Sequence, residues 1–299
     1  MDTFEKWLVI GASGLLGYRL CEYLLADGKE VFGTVHEHPI GLDGVSELKV
    51  NLLDLDTTLR DTIKRLDIDV IVYAAGLTNV DACEENENLA YEIHVSVPEE
   101  LAKWSLDCNI RFVNISTDHL WDGSVPMVTE NIIPQPMNAY ARTKADGEAA
   151  VMEAFPDSLT VRTNFYGAGR PWRTSLSDWI LSSLRSGREV KAFINSYFTP
   201  ICLAHLCPTL VGIVECNAKG IYNLVGSERV SKYEFASELA HAFSLPNELI
   251  VPGKLENAGL VAPRPEDMSL SSDKIANFIG HSMPNLKEGL KALKNEKKC

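Results

Sequence analysis

Hydrophobic residues in the first 115 positions follow two patterns that alternate along the chain. Short apolar runs are typical of strands buried on both faces of a sheet, whereas apolar residues spaced three or four apart predict amphipathic helices. The predicted strands are Trp7–Ile10, Val31–Val35, Leu48–Leu53, Val70–Ala74 and Ile110–Ile115. Because strands alternate with helical stretches, we predict an α/β fold built on a parallel, doubly wound sheet. The region from Asp81 to Asp107 is predicted to be helical, with an interruption at Pro98.

A glycine-rich turn joins the first predicted strand to the first predicted helix, with the spacing G-x-x-G-x-x-G. Gly11 permits a tight turn, Gly14 lets the backbone approach a pyrophosphate, and Gly17 lets helix and strand pack closely. The helix N-terminus then offers backbone N–H groups to phosphate oxygens. The turn therefore predicts a dinucleotide site in a Rossmann-type fold. The predicted cofactor contacts here are Gly11, Ser13, Gly14, Leu15, Leu16 and Gly17.

Further cofactor contacts are expected where the other strands end, because ligands bind beyond the carboxyl ends of a parallel sheet. Thr34 and His36 stand where an acidic residue would select NAD, which favours NADP(H) over NAD(H). Glu37 lies close by, and His36 could equally be a solvated loop residue. Asp54 could contact adenine or cap the helix that follows. The predicted contacts in these segments are His36, Asp54, Leu55, Ala74, Ala75 and Gly76.

Tyr140 and Lys144 are the strongest candidates for chemistry, because residues four apart lie on one face of a helix. A nearby ammonium lowers the pKa of a tyrosine by favouring the phenolate, so that the phenol can exchange a proton with a carbonyl or alcohol. Thr117, at the tip of the fifth strand, could hydrogen-bond the same oxygen. The Tyr-x-x-x-Lys pattern alone usually marks a solvated helix face. Its position after a glycine turn and a Ser-Thr strand end favours the catalytic interpretation.

Taken together, these motifs resemble the extended short-chain dehydrogenases/reductases, and most of all the dTDP-4-dehydrorhamnose reductases and their relatives. The resemblance covers nearly the whole chain. The supporting segments are Gly11–Gly17, Thr78–Asp81, Ser116–Asp118, Asp122-Gly123, Tyr140–Glu148, Val161–Thr163 and Arg264-Pro265. The resemblance implies NADP(H)- or NAD(H)-dependent reduction of a 4-keto-6-deoxy sugar on a nucleoside diphosphate. It also implies that Tyr140 protonates the C4 oxygen, Lys144 holds the nicotinamide ribose and Thr117 orients the keto oxygen.

The resemblance also indicates residues for the substrate. Tyr197 stands where the family lines its substrate cleft, and Arg264 matches a late family motif. Arg170 is a candidate for the diphosphate, since guanidinium groups match pairs of phosphate oxygens, although a surface cation on a loop is an equal alternative. The predicted substrate contacts are Thr78, Val80, Asp81, Asp118, Asn164, Phe165, Arg170, Tyr197 and Arg264.

The sequence departs from the family pattern at His119, Trp121 and His94, and its segment from Arg162 to Gly167 is shorter than in the reductases. His119 and Trp121 replace two aromatic residues, and each could pack in the core or touch the sugar. His94 stands where an asparagine is usual, and it could be a satisfied, partly buried helix histidine. The related 4,6-dehydratases carry a glutamate at the position of His119, so its absence argues against dehydration.

The second half of the chain is organised differently, because the regular alternation stops at Asn164. We therefore expect a Rossmann domain over residues 1–163 and a smaller, interlocked C-terminal substrate lobe over residues 164–299. Some segments of that lobe, such as Gly220–Val225, are predicted to return to the sheet.

Composition narrows the choice of partners. The net charge of −13 argues against nucleic acid or an anionic membrane surface. The chain has no apolar run of membrane-spanning length and its first residues lack the shape of a signal peptide, which predicts a cytoplasmic protein. The seven scattered cysteines include no C-x-x-C and predict no metal site. A homodimer is one possible assembly.

Two other functions remain open at this point. One is a non-catalytic NADP-binding module like the reductase-fold regulatory β subunit of methionine adenosyltransferase, which keeps much of the same pattern. The other is a related reductase or epimerase with a different nucleotide sugar. The presence of Thr117, Tyr140 and Lys144 favours catalysis.

Overall fold

The computed structural model describes residues 5–55 and 57–296, so Cys299 lies outside the described residues. The strands are β1 (Lys6–Ile10), β2 (Glu30–Val35), β3 (Val45–Lys49), β4 (Val70–Tyr73), β5 (Arg111–Ile115), β6 (Leu159–Arg162), β7 (Phe165–Tyr166), β8 (Val190–Phe193), β9 (Tyr197–Phe198), β10 (Ile201–Cys202), β11 (Gly220–Asn223), β12 (Val230–Ser231) and β13 (Ile250–Gly253). The helices are α1 (Leu15–Ala26), α2 (Thr57–Leu66), α3 (Val80–Glu85), α4 (Glu87–Tyr91), α5 (Val97–Cys108), α6 (Ala139–Ala154), α7 (Leu176–Arg185), α8 (Leu203–Glu215), α9 (Lys232–Phe243), α10 (Asp273–Ile279) and α11 (Leu286–Glu296).

Seven strands form one sheet in the order β11-β6-β5-β4-β1-β2-β3. The pairings of β1 with β2 and β4, of β2 with β3, and of β5 with β4 and β6 are all parallel. β4 and β5 are buried along their whole length, which matches the continuous apolar sequence of β4, whereas β5 also buries Arg111 and Asn114. The strand order reverses between β1 and β4, and such a reversal opens a crevice beyond the carboxyl ends of the two strands. This is the predicted doubly wound, Rossmann-type sheet.

The described residues fall into two compact units. The first comprises those of Met1–Ser116, Asn138–Val161 and Cys207–Ile221. Its core includes Leu8 of β1, Ile71 of β4 and Trp104 of α5, all buried.

The second unit comprises the described residues of Thr117–Met137, Arg162–Leu206 and Tyr222–Cys299. Its core includes Phe198 of β9, Phe235 of α9 and Leu290 of α11. Three two-stranded sheets join distant segments of this unit: β7 with β10, β9 with β12, and β8 with β13. The predicted division of the chain into domains at Thr163 stays a prediction.

The third strand lies earlier than predicted. β3 covers Val45–Lys49, not Leu48–Leu53, and its last residue pairs with Val35 at the end of β2. A strand at the edge of a sheet ends where its only neighbour ends. Leu52 lies in the turn that follows and packs against the core of the first unit. This packing explains why the apolar sequence extends beyond the end of the strand.

The prediction of a break at Pro98 is also wrong. Pro98 lies in the first turn of α5, and the helical backbone continues into it through Ser96 and Val97 without a break. The chain is interrupted instead at Asn86, whose side chain accepts from the N–H of Leu89 at 3.1 Å and caps α4. A π-helical turn, Glu92–Ser96, then connects α4 to α5.

Within residues 5–55 and 57–296, no helix combines the length and the apolar character that a membrane crossing requires.

Candidate active site

The glycine turn after β1 is built by close backbone contacts. Gly11 has a φ of +84°, and a Cβ atom on it would lie 2.8 Å from the backbone nitrogen of Ala75. A Cβ atom on Gly17 would collide with the carbonyl oxygen of Gly11. Only glycine fits at both positions, so the turn can stay tight and α1 can approach it closely.

Helix α1 begins beside this turn without the usual means of neutralising a helix N-terminus. Its N-cap residue, Gly14, has no side-chain cap, and no acidic residue occupies the first turn. Leu15 and Ser13 are half-buried and Leu16 is buried. The positive end of the helix dipole therefore lies at the turn, an arrangement suited to a phosphate group.

Thr34, near the end of β2, supports the glycine turn. Its buried hydroxyl accepts a hydrogen bond from the N–H of Gly11 at 2.9 Å. His36, by contrast, is exposed and lines an open cavity of about 340 Å³ together with His38 and Lys49. Lys49 comes from β3 and was missed by the sequence argument, which considered only the end of β2.

The other predicted cofactor residues follow β3 and β4. Asp54 is exposed, and within the described part of the chain its carboxylate has no hydrogen bond. Leu55 packs against the core of the first unit. Ala74 continues the line of β4, donating its N–H to the carbonyl of Ile10 at 2.9 Å, while Ala75 is half-buried and Gly76 is exposed.

Tyr140 and Lys144 lie on α6, which begins after the capping side chain of Asn138. Tyr140 is half-buried, whereas Lys144 is only 7% exposed. The ammonium of Lys144 donates to the carbonyl oxygen of Ile115, at the end of β5, at 2.7 Å. Burial lowers the pKa of Lys144 to about 8, and the nearby Glu148 limits the shift. Lys144 thus remains largely protonated at neutral pH in a position where its charge is poorly screened.

The second unit contains a separate polar cluster. Asp118 follows Thr117 directly and is 3% exposed. Its carboxylate accepts from the amide nitrogen of Asn164 at 2.6 Å, and the Thr117 hydroxyl lies 3.3 Å from its other oxygen. Burial raises the pKa of Asp118 to about 6, while the charge of Lys232, at the start of α9, opposes the shift. The structure therefore joins the predicted residues Thr117, Asp118 and Asn164.

Lys232 is the residue of this cluster that the sequence argument missed. Burial lowers its pKa to about 8, and the charge of Asp118 works in the opposite direction. Its ammonium lies 3.2 Å from the centre of the Phe198 ring, a cation–π distance. Lys232 is half-buried, and no local pattern predicts that a lysine at the start of a helix is withdrawn from solvent in this way.

His119 and Trp121 are both buried, as the core-packing alternative required. Burial, with the charges of Arg264 and Lys232, lowers the pKa of His119 to about 3, so this histidine is neutral. The Trp121 indole donates to the carbonyl of Ile133 at 3.0 Å. Arg264 donates to the carbonyl of Ala262 at 2.8 Å.

The remaining predicted substrate residues are spread over both units. Thr78 is exposed and Val80 and Asp81 are half-buried, at the start of α3. Phe165 pairs with Ile201 between β7 and β10. Their roles stay predictions.

Two predicted residues of the second unit already lie against other side chains. The Arg170 guanidinium lies 4.6 Å from the centre of the Trp172 ring. The Arg229 guanidinium lies 3.6 Å from the centre of the Tyr197 ring and forms an ion pair with Asp267 at 2.5 Å. The substrate roles of Arg170 and Tyr197 also stay predictions.

One buried polar atom of the first unit fits a dinucleotide site. The hydroxyl of Ser116 is buried at the end of β5 and has no hydrogen-bond partner among the described residues. Buried hydroxyls normally have a partner, so this one has spare capacity for a ligand. Together with the glycine turn and the uncapped start of α1, it is compatible with a bound nicotinamide dinucleotide.

Comparisons with known proteins identify the family of the chain. The family model described as the RmlD substrate binding domain matches residues 5–299. The chain is 28% identical over 295 residues to the probable low-salt glycan biosynthesis reductase Agl14 of Haloferax volcanii, covering 95% of this chain and 96% of that protein. It is 29% identical over 293 residues to the β subunit of methionine adenosyltransferase 2 of Xenopus laevis, covering 94% of this chain and 84% of that protein.

A solved structure has the same fold. The dTDP-4-dehydrorhamnose reductase of Bacillus anthracis, in complex with NADP, matches with a TM-score of 0.86 and 22% identity, covering 98% of this chain and all of that one. The predicted Rossmann-type α/β fold is thereby confirmed.

Proposed function

Because the chain belongs to the RmlD substrate binding domain family, we propose that it is an NAD(P)H-dependent oxidoreductase acting on a nucleotide sugar. The proposed reaction is reduction of a 4-keto-6-deoxy sugar carried on a nucleoside diphosphate. One observation carries this proposal: Tyr140 and the buried, protonated Lys144 lie one turn apart on the same face of α6.

Each residue has a role that follows from its chemistry. The nicotinamide, when bound, supplies hydride to the carbonyl carbon. Tyr140 donates a proton to the oxygen that becomes the hydroxyl, and the Lys144 charge stabilises the phenolate left behind. Thr117 donates a hydrogen bond to the same oxygen. The glycine turn and the start of α1 hold the pyrophosphate.

NADP(H) is the cofactor we propose in preference to NAD(H). His36, His38 and Lys49 line one exposed cavity next to the end of β2. Basic side chains at this place suit a 2′-phosphate, whereas an acidic one suits a 2′-hydroxyl. Glu37 and Glu47 line the same cavity, and their negative charges oppose a 2′-phosphate there.

The test is oxidation of NADPH and NADH by the full chain with a panel of nucleotide-linked 4-keto-6-deoxy sugars, compared with Tyr140→Phe. Loss of a general acid is expected to lower kcat about 10²- to 10⁴-fold while leaving the Kd for NADPH unchanged. Turnover that survives the substitution would contradict the role of Tyr140.

A second candidate function is a regulatory subunit, favoured by the similarity to the methionine adenosyltransferase β subunit. This function predicts NADPH binding, no turnover of any sugar, and a stable complex with a methionine adenosyltransferase catalytic subunit. Gel filtration of the mixed proteins distinguishes it from the reductase.

A further inference from the structure

A buried histidine lies between the predicted cofactor loop and the helix that carries Tyr140 and Lys144. His94 is 2% exposed and belongs to the π-helical turn Glu92–Ser96. Its Nε2 lies 3.1 Å from the backbone nitrogen of Leu77, and its Nδ1 lies 2.9 Å from the hydroxyl oxygen of Thr143. One ring nitrogen thus contacts the loop after β4 and the other contacts α6.

These two partners determine which nitrogen of His94 carries the proton. A backbone N–H only donates, so Nε2 accepts from Leu77. The Thr143 hydroxyl donates to the carbonyl of Ala139 at 2.9 Å, so its oxygen accepts from Nδ1–H. Burial and the nearby charge of Lys144 lower the pKa of His94 to about 3, which keeps the ring neutral.

His94 contacts α6 at two further points. Its ring meets the Tyr140 ring edge-on, with centres 5.6 Å apart. A Cβ atom on Gly147 would collide with the carbonyl oxygen of His94, so the π-helical turn and α6 approach as closely as their backbones allow. The histidine therefore touches the helix on both sides of Lys144.

We propose that His94 is a positioning residue that fixes two elements independently to the π-helical turn: α6, which carries Tyr140 and Lys144, and the loop after β4, which contains the predicted cofactor contact Gly76. This inference rests on the proposed function. The Thr143 bond fixes the helix, and the Leu77 bond fixes the loop. The two bonds therefore act on different kinetic quantities.

Two substitutions of His94 remove these hydrogen bonds one at a time. Asparagine and glutamine each place an amide group where one of the two ring nitrogens lies. His94→Asn retains a group at the place of Nδ1 and loses the bond to Leu77. We expect it to raise the Kd for NADPH about tenfold with kcat within about twofold of the wild-type value. His94→Gln retains a group at the place of Nε2 and loses the bond to Thr143. We expect it to lower kcat about tenfold, with the Kd for NADPH nearly unchanged.

Two substitutions complete the kinetic test. Thr143→Val is expected to reproduce His94→Gln, and Thr143→Ser to restore activity, because serine keeps the hydroxyl. Ser105→Ala is the matched control, since it removes a buried hydrogen bond to Leu101 at 2.7 Å elsewhere on α5. A purely structural role for His94 predicts that Asn, Gln and the control variant change kcat and Kd alike, and that outcome would overturn the proposal.

A second measurement does not depend on turnover. Nitrogen NMR of the histidine-labelled chain, with the His94→Gln spectrum as assignment, reports the tautomer directly. We expect a Nδ1–H signal that does not titrate between about pH 5 and pH 8. An Nε2–H tautomer, or titration near the ordinary pKa of about 6.5, contradicts the proposal. If no sugar is reduced by the wild type, the proposed function fails, while the tautomer and the NADPH affinity of His94→Asn still decide the positioning role.

Discussion

Each of the two compact units contains a lysine whose pKa is lowered by burial: Lys144 in the first and Lys232 in the second. The surroundings of the two ammonium groups differ. Lys144 donates a hydrogen bond to the carbonyl of Ile115 at 2.7 Å. The ammonium of Lys232 lies over the Phe198 ring and has no hydrogen bond or ion pair with any described residue. The pKa of each is lowered to about 8 by burial. The two ammonium groups are thus desolvated to a similar degree. That of Lys144 has a fixed hydrogen bond, whereas that of Lys232 has only the nearby Asp118 carboxylate and the face of the Phe198 ring.

The difference indicates two kinds of role. The hydrogen bond to Ile115 fixes the direction of the Lys144 ammonium, which shares one face of α6 with Tyr140. An ammonium without a hydrogen bond retains its donors for a ligand, and Lys232 lies in the same unit as the predicted substrate residues Asp118 and Asn164. We therefore expect Lys144 to affect the rate of the proposed reaction and Lys232 to affect substrate affinity.

The largest expected effect is on the rate. Lys144→Met is expected to lower kcat about 10²- to 10³-fold, because the phenolate of Tyr140 loses its stabilising charge. Lys232→Met is expected to leave kcat within about threefold and to raise KM for the sugar, since only binding is lost. Steady-state kinetics measure both, with Lys291→Met on an exposed position of α11 as control. Equal losses of kcat in the two variants would contradict the assignment of Lys144 to the rate and Lys232 to substrate affinity.

The next effect is on stability and concerns the partner of Lys232. Asp118→Ala leaves the amide of Asn164 without its acceptor and Lys232 without the opposing charge. Leaving a buried donor without its partner costs about 1 to 3 kcal/mol in free energy of unfolding, and more where a charge is involved. Asp118→Asn retains an acceptor oxygen and is expected to cost about half as much. Urea denaturation of the three proteins tests this, and equal stability of Asp118→Ala and the wild type would show that the cluster does not stabilise the second unit.

The smallest expected effect is the contribution of each lysine to the pH dependence of the free energy of unfolding. The pKa of each lysine is lower in the folded chain than in the unfolded chain. Above about pH 8 the unfolded chain binds more protons than the folded one, so the free energy of unfolding rises with pH until the unfolded lysine titrates near its usual pKa. Between about pH 8 and pH 9.5 each lysine should contribute about 2 kcal/mol.

The measurement is the difference in unfolding free energy between wild type and Lys144→Met at the two pH values. Lys232→Met is compared in an Asp118→Asn background, which removes titration of the carboxylate. The stability of each Met variant relative to its parent should fall over this interval. A constant difference would mean that the lysine concerned titrates normally.

Local patterns explain why most of the fold and part of the candidate site could be predicted. The glycine turn and the Tyr140-x-x-x-Lys144 face are each formed by neighbours in sequence, so spacing alone predicts their geometry. The parallel sheet follows from alternating strands and helices. The start of β3 was misplaced because its bounds depend on pairing with β2.

Contacts between distant segments explain the rest. His94 meets Thr143 across 49 positions, and Asn164 meets Asp118 across 46. Nothing near Lys232 in sequence indicates that Phe198 and Asp118 surround it. Short pairings such as β8 with β13 likewise have no local pattern, since each strand is only four residues long.

The π-helical turn Glu92–Ser96 has a consequence for how this sequence can vary in length. A π-helical turn carries one more residue than an α-helical turn, so deleting a single residue there would yield an ordinary helix. Because the wide turn absorbs the extra residue, that deletion would leave the helices on either side nearly in place and would change the directions of the side chains within the turn. The His94 ring would then turn away from Thr143, although every side chain of the site was retained. Insertions and deletions in this turn should therefore be tolerated far less well than substitutions on its exposed face.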